Sequence, residues 1–296
     1  MGNAGGFDAS TCCACWEVRM IEMIKQTYLY LAEQMKYLGM TTRLAIYDSK
    51  AVSAHKYLGR AWDYLDPLFQ VLIYAVIFGG GFRSAAPIDG MPFFVWMSLG
   101  FSMWYLLNQG FSDTIRSIET QIGLVGKMKF PISILPTIRI FQTFPAVLTI
   151  TIVAFISMAV TGHFHVTAYW LQAVYYFFSA MILLLGFGIF NAVFNILVPD
   201  YDLAVRQVLR LAFFVSGILF QPMEHPVGGF QTIITFIANI NPFYYIINGW
   251  RETFFNQAWF WQSKHELAIF WIEVAIVYII GLHLYTKFKD QLVDFI

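Results

Sequence analysis

The chain is poor in charge: Lys, Arg, Asp and Glu make up 12% of its 296 residues, whereas 58% are hydrophobic and 19% are aromatic. Soluble domains carry about 25% charged residues, so the composition excludes an ordinary soluble domain and predicts an integral membrane protein. The formal net charge is zero, which argues against a nucleic-acid-binding surface. We expect positive loops that face anionic lipid or substrate head groups.

Cysteine is scarce as well, and the three that occur, Cys12, Cys13 and Cys15, lie in a stretch of small residues. No His stands near them at ligand spacing, so a disordered cytosolic tail over 1–20 is favoured over a zinc site. We therefore predict no bound metal. Met1–Arg19 has no long apolar core, so no early signal peptide is predicted.

A nucleotide-binding loop is also missing. No G-x-x-x-x-G-K-[ST] string is present, and the nearest one, Gly123–Lys127, has the wrong spacing to cradle ATP phosphates. The chain is thus predicted not to bind ATP by that mechanism. If ATP drives its function, ATP and Mg²⁺ must be bound by a separate subunit.

Long apolar runs are what the chain has in quantity, and they predict an all-α membrane domain of six transmembrane helices over 62–296. The runs are Trp62–Phe82, Met91–Phe111, Phe141–Thr161, Trp170–Val198, Leu209–Phe220 and Leu267–Tyr285. Crossing a hydrocarbon core of about 30 Å takes roughly 20 residues. The fourth run exceeds that and predicts a tilt, whereas the fifth must extend back past Arg206 and Arg210, whose side chains would snorkel.

The basic residues lie mostly on one side of these six runs, which predicts that both termini are cytoplasmic. Fourteen of the eighteen fall on that side: Arg19, Lys25, Lys36, Arg43, Lys50, Lys56, Arg60, Arg116, Lys127, Lys129, Arg206, Arg210, Lys287 and Lys289. The other side has Arg83, Arg251 and Lys264, and Arg139 lies at a span boundary.

Two further segments predict helices that do not span. Ile21–Leu38 repeats apolar residues every seven positions, with Glu33 and Lys36 on the other face. This pattern favours an amphipathic helix on the membrane surface or against a partner, within a cytosolic region 21–61, over a short coiled-coil seam. The second segment, Ser112–Pro136, is charged and bracketed by Pro, and is either a short cytosolic helix or a solvated loop.

The segment Thr232–Ile247 is apolar enough for a seventh span, but Asn239, Asn241 and Pro242 interrupt it. Lipid does not tolerate exposed broken backbone, so re-entrant external helices between spans five and six are favoured over a seventh span. The distribution of charge does not decide between these alternatives.

Short strings along the chain carry a family resemblance. They are Tyr57-Leu58-Gly59, Trp62, Pro67-Leu68, Phe78-Gly79, Lys127-Met128-Lys129-Phe130-Pro131, Ile134-Leu135-Pro136, Ser216-Gly217-Ile218-Leu219-Phe220, and Asn241-Pro242 with Arg251. In combination they resemble the permease subunits of ABC exporters of cell-surface polysaccharides, which export O-antigen, capsule or teichoic acid. The string at 216–220 is most similar to the teichoic-acid branch. Pro199-Asp200 departs from the Arg-Asp that many relatives carry.

The resemblance implies a homodimer of six-span subunits in a bacterial plasma membrane, docked on two ATPase subunits. It also implies that this chain binds no cofactor itself and is no enzyme on its own. The segment from about Asp113 to Lys127 would be the ATPase-coupling helix, and the amphipathic stretch before Trp62 the interface helix. The coupling residues would be Asp113, Arg116, Glu119, Lys127 and Lys129. The external gate, within Gln221–Ile247, would include Pro222, Asn241 and Pro242. The implied cargo is a polymer on undecaprenyl pyrophosphate.

Candidate substrate residues are cations and aromatics. A pyrophosphate needs positive charge at the cytosolic surface, which Lys56, Arg60, Arg206 and Arg210 can supply unless they only set the topology. Aromatic rings can stack on sugars along a channel, although most rings in such a chain face lipid. The channel candidates are Trp96, Trp104, Tyr105, Tyr175 and Tyr176. Glu273 is a carboxylate inside a span and a functional-site hypothesis, or it pairs with a neighbouring helix.

Two other classes of membrane protein are disfavoured. An intramembrane serine protease needs a G-x-S-G nucleophile, but Gly100-Phe101-Ser102-Met103 and Gly110-Phe111-Ser112-Asp113 both lack the last Gly. An ion channel would show a selectivity-filter string or a ring-forming charge pattern, and neither stands out. The sequence thus favours an exporter subunit for a lipid-linked polymer, with wall teichoic acid first and O-antigen or capsule as the alternative.

Overall fold

The computed structural model describes residues 25–54, 56–77, 90–125, 131–219, 229–255 and 258–289. Predictions for the 1–20 tail with its three cysteines, for Lys127, Lys129 and Pro222, and for the end of the first predicted span lie outside these residues. The described chain is helical, without a strand. Within the ranges just given, no group of three or more His, Cys, Asp or Glu residues is placed to hold a metal ion.

The described ranges contain the following α-helices in chain order. They are α1 (25–36), α2 (Leu38–Ser53), α3 (Trp62–Tyr74), α4 (Phe93–Ile115), α5 (Ser117–Val125), α6 (Leu135–Gln142), α7 (Phe144–Val160), α8 (Gln172–Leu197), α9 (Tyr201–Val215), α10 (Gly229–Ile240), α11 (Pro242–Phe254) and α12 (Lys264–Phe288).

Three stretches are long and apolar enough to cross a membrane: Ile132–Val160, Ala168–Leu197 and Lys264–Phe288. They agree with the third, fourth and sixth predicted spans, so the prediction of a membrane protein is supported. The first of them begins at 132 rather than at 141, because α6 and α7 follow each other almost without interruption. Arg139 therefore lies inside a helix and not at a span boundary.

The second predicted span corresponds to α4, which is long enough to cross a membrane but is not among the stretches that are also apolar enough. It carries Asn108, Gln109 and Ser98, and most of its residues are buried. It packs against α6, α7, α8, α9 and α11. A helix surrounded by protein needs no lipid-compatible face, and its stability comes from close packing of side chains such as Leu99 and Leu106. The six-span count remains a prediction.

The N-terminal helix α1 leaves part of its apolar face exposed. Tyr28 and Met35 on its apolar face are 71% and 76% exposed, whereas Tyr30 and Gln34 are buried. Glu33 accepts a hydrogen bond from Ser133 Oγ at 2.6 Å. One side of α1 thus binds the segment that leads into α6, and its placement on the membrane surface or against a partner stays a prediction. A helix with its apolar side outward is suited to lipid or to an apolar partner.

The interruption predicted at Asn241-Pro242 is present. The helix α10 ends at Ile240 and α11 begins at Pro242, in the first-turn position that Pro favours. Asn241 caps α11, since its side chain accepts a hydrogen bond from Phe243 N at 3.0 Å. The re-entrant placement of these two helices stays a prediction.

Candidate functional site

A cavity of about 470 Å³ lies between α3, α4 and α9. One part of its wall is aromatic and the other is polar and charged. The aromatic residues are Tyr74, Phe101, Trp104, Phe213 and Phe214, and the polar ones are Gln70, Asn108, Gln109, Ser112, Asp113, Arg206 and Arg210. Such a wall can hold a ligand that is both anionic and apolar or saccharide-like.

Two of the four predicted pyrophosphate residues meet at this cavity. Arg206 and Arg210 stand one turn apart on α9 and both line it. Arg206 also binds Asp202 on its own helix, whereas Arg210 Nη1 donates to Gln207 at 3.2 Å. The two guanidinium groups therefore differ: one is held by a carboxylate and the other only by a neutral amide.

Asp113, predicted in the ATPase-coupling set, lies at the end of α4 and lines the cavity. Gln109 Nε2 lies 3.0 Å from both carboxylate oxygens. The carboxylate is thus held in place by a neutral amide.

The other two predicted cations lie elsewhere. Lys56 lines a second cavity of about 520 Å³ together with Asp63, Asp66 and Tyr105. Arg60 lies 3.8 Å from Asp63 in a partly exposed pair. The four cations therefore do not form one cluster, although Gln109 lines both cavities.

The five predicted channel aromatics are also divided. Trp104 lines the first cavity and Tyr105 the second. The other three lie in packing contacts: Trp96 beneath a guanidinium group, Tyr175 with its hydroxyl 3.1 Å from that of Tyr245, and Tyr176 buried beside Tyr245.

The short helix α5 confirms a helix within Ser112–Pro136, although it begins only at Ser117. Polar contacts hold it from two sides. On one side, Arg116 at its start pairs with Asp202 at 3.0 Å, and Asn195 Nδ2 lies 3.5 Å from Glu119. On the other side, Arg139 Nη2 donates to Thr120 Oγ1 at 2.9 Å.

Asp48 on α2 completes that second side, and nothing in the sequence singled it out. Its Oδ2 accepts hydrogen bonds from Arg139 at 2.9 Å, from Gln142 at 2.8 Å and from Gln121 at 3.2 Å. The carboxylate thus ties α2, α5 and α6 together. A single Asp on an amphipathic helix carries no signal of such a role, because its partners lie 73 or more residues away.

A buried arginine joins α11 to α4 and to the end of α9. Arg251 is 2% exposed and its guanidinium carbon lies 3.6 Å from the centre of the Trp96 ring. It donates to the carbonyls of Trp96, Gly217 and Ile218 at 3.1, 2.6 and 2.9 Å. Gly100 leaves the space for it, since a Cβ there would overlap the guanidinium group.

The end of α9 is built to present these carbonyls. Gly217 has a φ of +68°, the left-handed conformation that commonly ends a helix. Asn241 binds the same place, because its Nδ2 donates to Ser216 Oγ at 2.9 Å. The predicted gate residue Asn241 is therefore attached to the end of α9, and Pro242 starts the helix that carries Arg251.

Glu273 lies on α12, as the sequence implied. Its Oε2 is buried and has no hydrogen-bond partner among the described residues. None of the cavities described here is lined by it. The functional-site hypothesis for this carboxylate gains no support from its surroundings.

The comparison with known families decides what these contacts belong to. A family model described as ABC-2 type transporter matches residues 44–255. The chain belongs to the ABC-2 type transporter family. This family is the transmembrane part of ABC transporters, whose ATPase is a separate subunit, so the missing nucleotide-binding loop has its explanation.

A curated relative adds a coarser indication of function. The ABC-2 chain is 22% identical over 244 residues to the O-antigen export system permease protein RfbA of Myxococcus xanthus, covering 80% of this chain and 85% of the relative. The family match runs from α2 to the end of α11. The contacts of Arg251, those of Asp202 and both cavities lie inside the matched residues. The polysaccharide-exporter resemblance is supported at this level.

Proposed function

We propose that this ABC-2 chain is the transmembrane subunit of an ATP-driven exporter that moves a lipid-linked cell-surface polysaccharide out of the cytoplasm. It would act as a six-span homodimer in a bacterial plasma membrane, with both termini cytoplasmic. Two ATPase subunits would bind ATP and Mg²⁺ beneath it. The family match and the O-antigen export relative support the exporter class.

The observation that carries the proposal is the composition of the cavity between α3, α4 and α9. Its arginines can bind a pyrophosphate through charge-assisted hydrogen bonds. Its aromatic wall, with Phe101 and Trp104, suits the adjoining sugar or prenyl group. A cargo on undecaprenyl pyrophosphate combines these two chemistries in one molecule.

The proposed ATPase contact is α5. Arg116, Glu119 and Thr120 are exposed on it, whereas Ser117 and Ile118 are buried. A short helix with a charged outer face and a buried inner face can dock in a groove of a partner while its base is held by the permease. The contacts to Asp202 and Asp48 would pass its movement into the membrane domain.

Two polymer classes have a specific observation behind them. The curated relative is an O-antigen export permease, which favours an O-antigen-type polysaccharide. The string from Ser216 to Phe220 resembles the teichoic-acid branch, which makes wall teichoic acid the second candidate. Stimulation of ATP hydrolysis by each lipid-linked polymer in turn would separate them.

Docking is tested by co-purification with a cognate ATPase subunit. Glu119→Lys reverses an exposed charge on α5, and we expect about a tenfold loss of ATPase binding, as for a mismatched interface charge. The matched control is Glu266→Lys, an exposed Glu in the first turn of α12. Equal binding by both variants would contradict α5 as the docking helix, and no binding by the wild type would contradict the proposed function.

A further inference from the structure

Asp202 is shared by two arginines that come from different parts of the fold. It is 3% exposed, in the first turn of α9. Arg206 Nε donates to Oδ1 at 2.8 Å and Arg206 Nη2 to Oδ2 at 3.3 Å. Arg116 Nε, from the junction of α4 and α5, lies 3.0 Å from Oδ2. One buried carboxylate thus connects the proposed ATPase-docking helix with a cavity-lining arginine. We call these three residues the Asp202 joint.

The three members of the Asp202 joint are not equally exposed. The Asp202 side chain is 4% exposed, whereas the side chains of Arg116 and Arg206 are 55% and 51% exposed. A buried carboxylate without a partner is strongly destabilised, but one that keeps a single arginine stays paired. Asp202 can therefore lose either arginine and remain paired with the other, and the released arginine has solvent around it.

Arg206 lines the cavity and can bind a ligand there when it leaves Asp202. Its lining includes three charged side chains, Asp113, Arg206 and Arg210. Two are positive and one is negative, so these side chains together present a net positive charge to an incoming anion. A phosphate in this cavity would find two guanidinium groups one helical turn apart, and each of them can bind phosphate oxygens in a bidentate way.

We infer that Asp202 relays the presence of cargo to the ATPase-docking helix: a pyrophosphate in the cavity takes Arg206, and Arg116 becomes the only partner of Asp202. The pair Arg116–Asp202 then tightens and draws the start of α5 toward α9. This relay rests on the proposed function. Arg206 is a binding residue in it, whereas Asp202 and Arg116 are positioning residues.

The chemistry recognised is a pyrophosphate, and two sources could supply it. A prenyl pyrophosphate in the membrane also fills the aromatic part of the cavity, whereas inorganic pyrophosphate does not. The relay requires the anion to reach Arg206, which lines the same cavity as Phe213 and Phe214. We therefore expect the prenyl form to act at lower concentration than the free anion.

The experiment uses the full-length chain with its ATPase subunits, reconstituted in liposomes. ATP hydrolysis is measured without addition, with undecaprenyl pyrophosphate and with inorganic pyrophosphate. Binding of the prenyl pyrophosphate is measured separately. The variants are Arg206→Gln, Arg116→Gln and Arg116→Lys, and the matched control is Lys287→Gln, which removes one exposed charge on α12.

For the wild type and Lys287→Gln, we expect undecaprenyl pyrophosphate to accelerate ATP hydrolysis. Arg206→Gln should weaken lipid binding about tenfold, the usual effect of one lost charge-assisted contact. Arg116→Gln should bind the lipid as the wild type does and yet lose the acceleration, while Arg116→Lys, which keeps a cation for Asp202, should regain part of it. A purely structural role for Arg116 would not separate binding from acceleration.

The relay is overturned if Arg116→Gln accelerates like the wild type, or if the wild type hydrolyses ATP without responding to the lipid. The proposed function fails differently, through the absence of any complex with the ATPase subunit. Arg116 is the decisive position because its side chain is half-exposed, so its loss leaves the fold intact. Thermal unfolding of each variant checks that point.

Discussion

Two buried polar contacts that involve arginine connect the helices of this molecule in opposite ways. In the Asp202 joint, half-exposed arginines surround a buried carboxylate. In the second contact, which we call the Arg251 joint and which comprises Arg251, Trp96, Gly217 and Ile218, a buried arginine is surrounded by a ring and backbone carbonyls. No carboxylate pairs with Arg251 within the described part of the chain.

The difference between the two joints concerns what can be exchanged. A carboxylate with two solvated arginines can release one of them to a competing anion at small cost. A guanidinium group that is 2% exposed and bound to three carbonyls has no solvent to move into. The Asp202 joint is thus suited to a moving contact near a ligand, and the Arg251 joint to a permanent attachment of α11 to α4 and α9.

The largest expected effect comes from removing the buried cation. Arg251→Met keeps an unbranched apolar stem but removes the guanidinium group and leaves two carbonyls after α9 without the donors shown here, and we expect a loss of about 3 kcal/mol. Thermal unfolding in detergent measures it. An unchanged unfolding temperature would mean that the cost of burying the charge cancels its hydrogen bonds, and the permanent attachment would be wrong.

Filling the space beside that cation should cost somewhat less. In Gly100→Ala the new methyl overlaps the Arg251 guanidinium, and overpacking of this kind costs about 2 kcal/mol. The matched control is Gly39→Ala in α2, where no atom lies within 4 Å of the added Cβ. There the change should stabilise the helix by about 0.7 kcal/mol. The same sign of change at both positions would contradict the packing described for Gly100.

A smaller effect is expected at Asn241, which belongs to the same region as the Arg251 joint. Asn241→Ala removes the cap of α11 and the hydrogen bond to Ser216, and should cost about 1 kcal/mol. Asn241→Asp keeps the capping oxygen and loses only the donor to Ser216, so it should cost less. If both variants unfold at the same temperature as the wild type, Asn241 does not attach the break between α10 and α11 to α9.

The smallest effect on stability is expected in the Asp202 joint. Arg116→Gln removes a half-exposed partner, and because Arg206 still pairs with Asp202, the loss should stay below about 1 kcal/mol. Comparison with Arg251→Met in one thermal series tests the contrast between the joints directly. A loss at Arg116 as large as that at Arg251 would remove the basis for calling the Asp202 joint exchangeable.

Much of the helical framework follows from local patterns in the sequence. Apolar runs located the ends of α8 within two residues and those of α12 within three, and Asn241-Pro242 located a helix break. The predicted third span begins at Phe141, whereas the helical stretch of α6 and α7 begins at Ile132. From the sequence alone, the charge of Arg139 looks like the end of a span, because its partners in the fold are not visible. Asp48 and Thr120 bind it from 91 and 19 positions away in the chain, and no local pattern reveals such contacts.

The candidate site was predictable by residue type but not by arrangement. Cations near span starts were sensible candidates for an anionic cargo, and Arg206 and Arg210 do line one cavity with Trp104. Their separation from Lys56 and Arg60 depends on how α3 packs, which periodicity does not encode. The pair of Arg116 and Asp202 joins residues that are 86 positions apart in the chain (202 minus 116), a distance that no local pattern covers.

The central claim is that this ABC-2 chain carries a lipid-linked polysaccharide across the membrane when its ATPase partner hydrolyses ATP. The direct measurement uses proteoliposomes with the ATPase sites outside, loaded with a lipid-linked O-antigen-type polymer in the outer leaflet. A glycosidase added outside reports how much polymer remains accessible. We predict that ATP lowers this amount with the wild type but not with Arg206→Gln. Polymer that stays fully accessible in the presence of ATP, for every polymer class tried, would contradict the account.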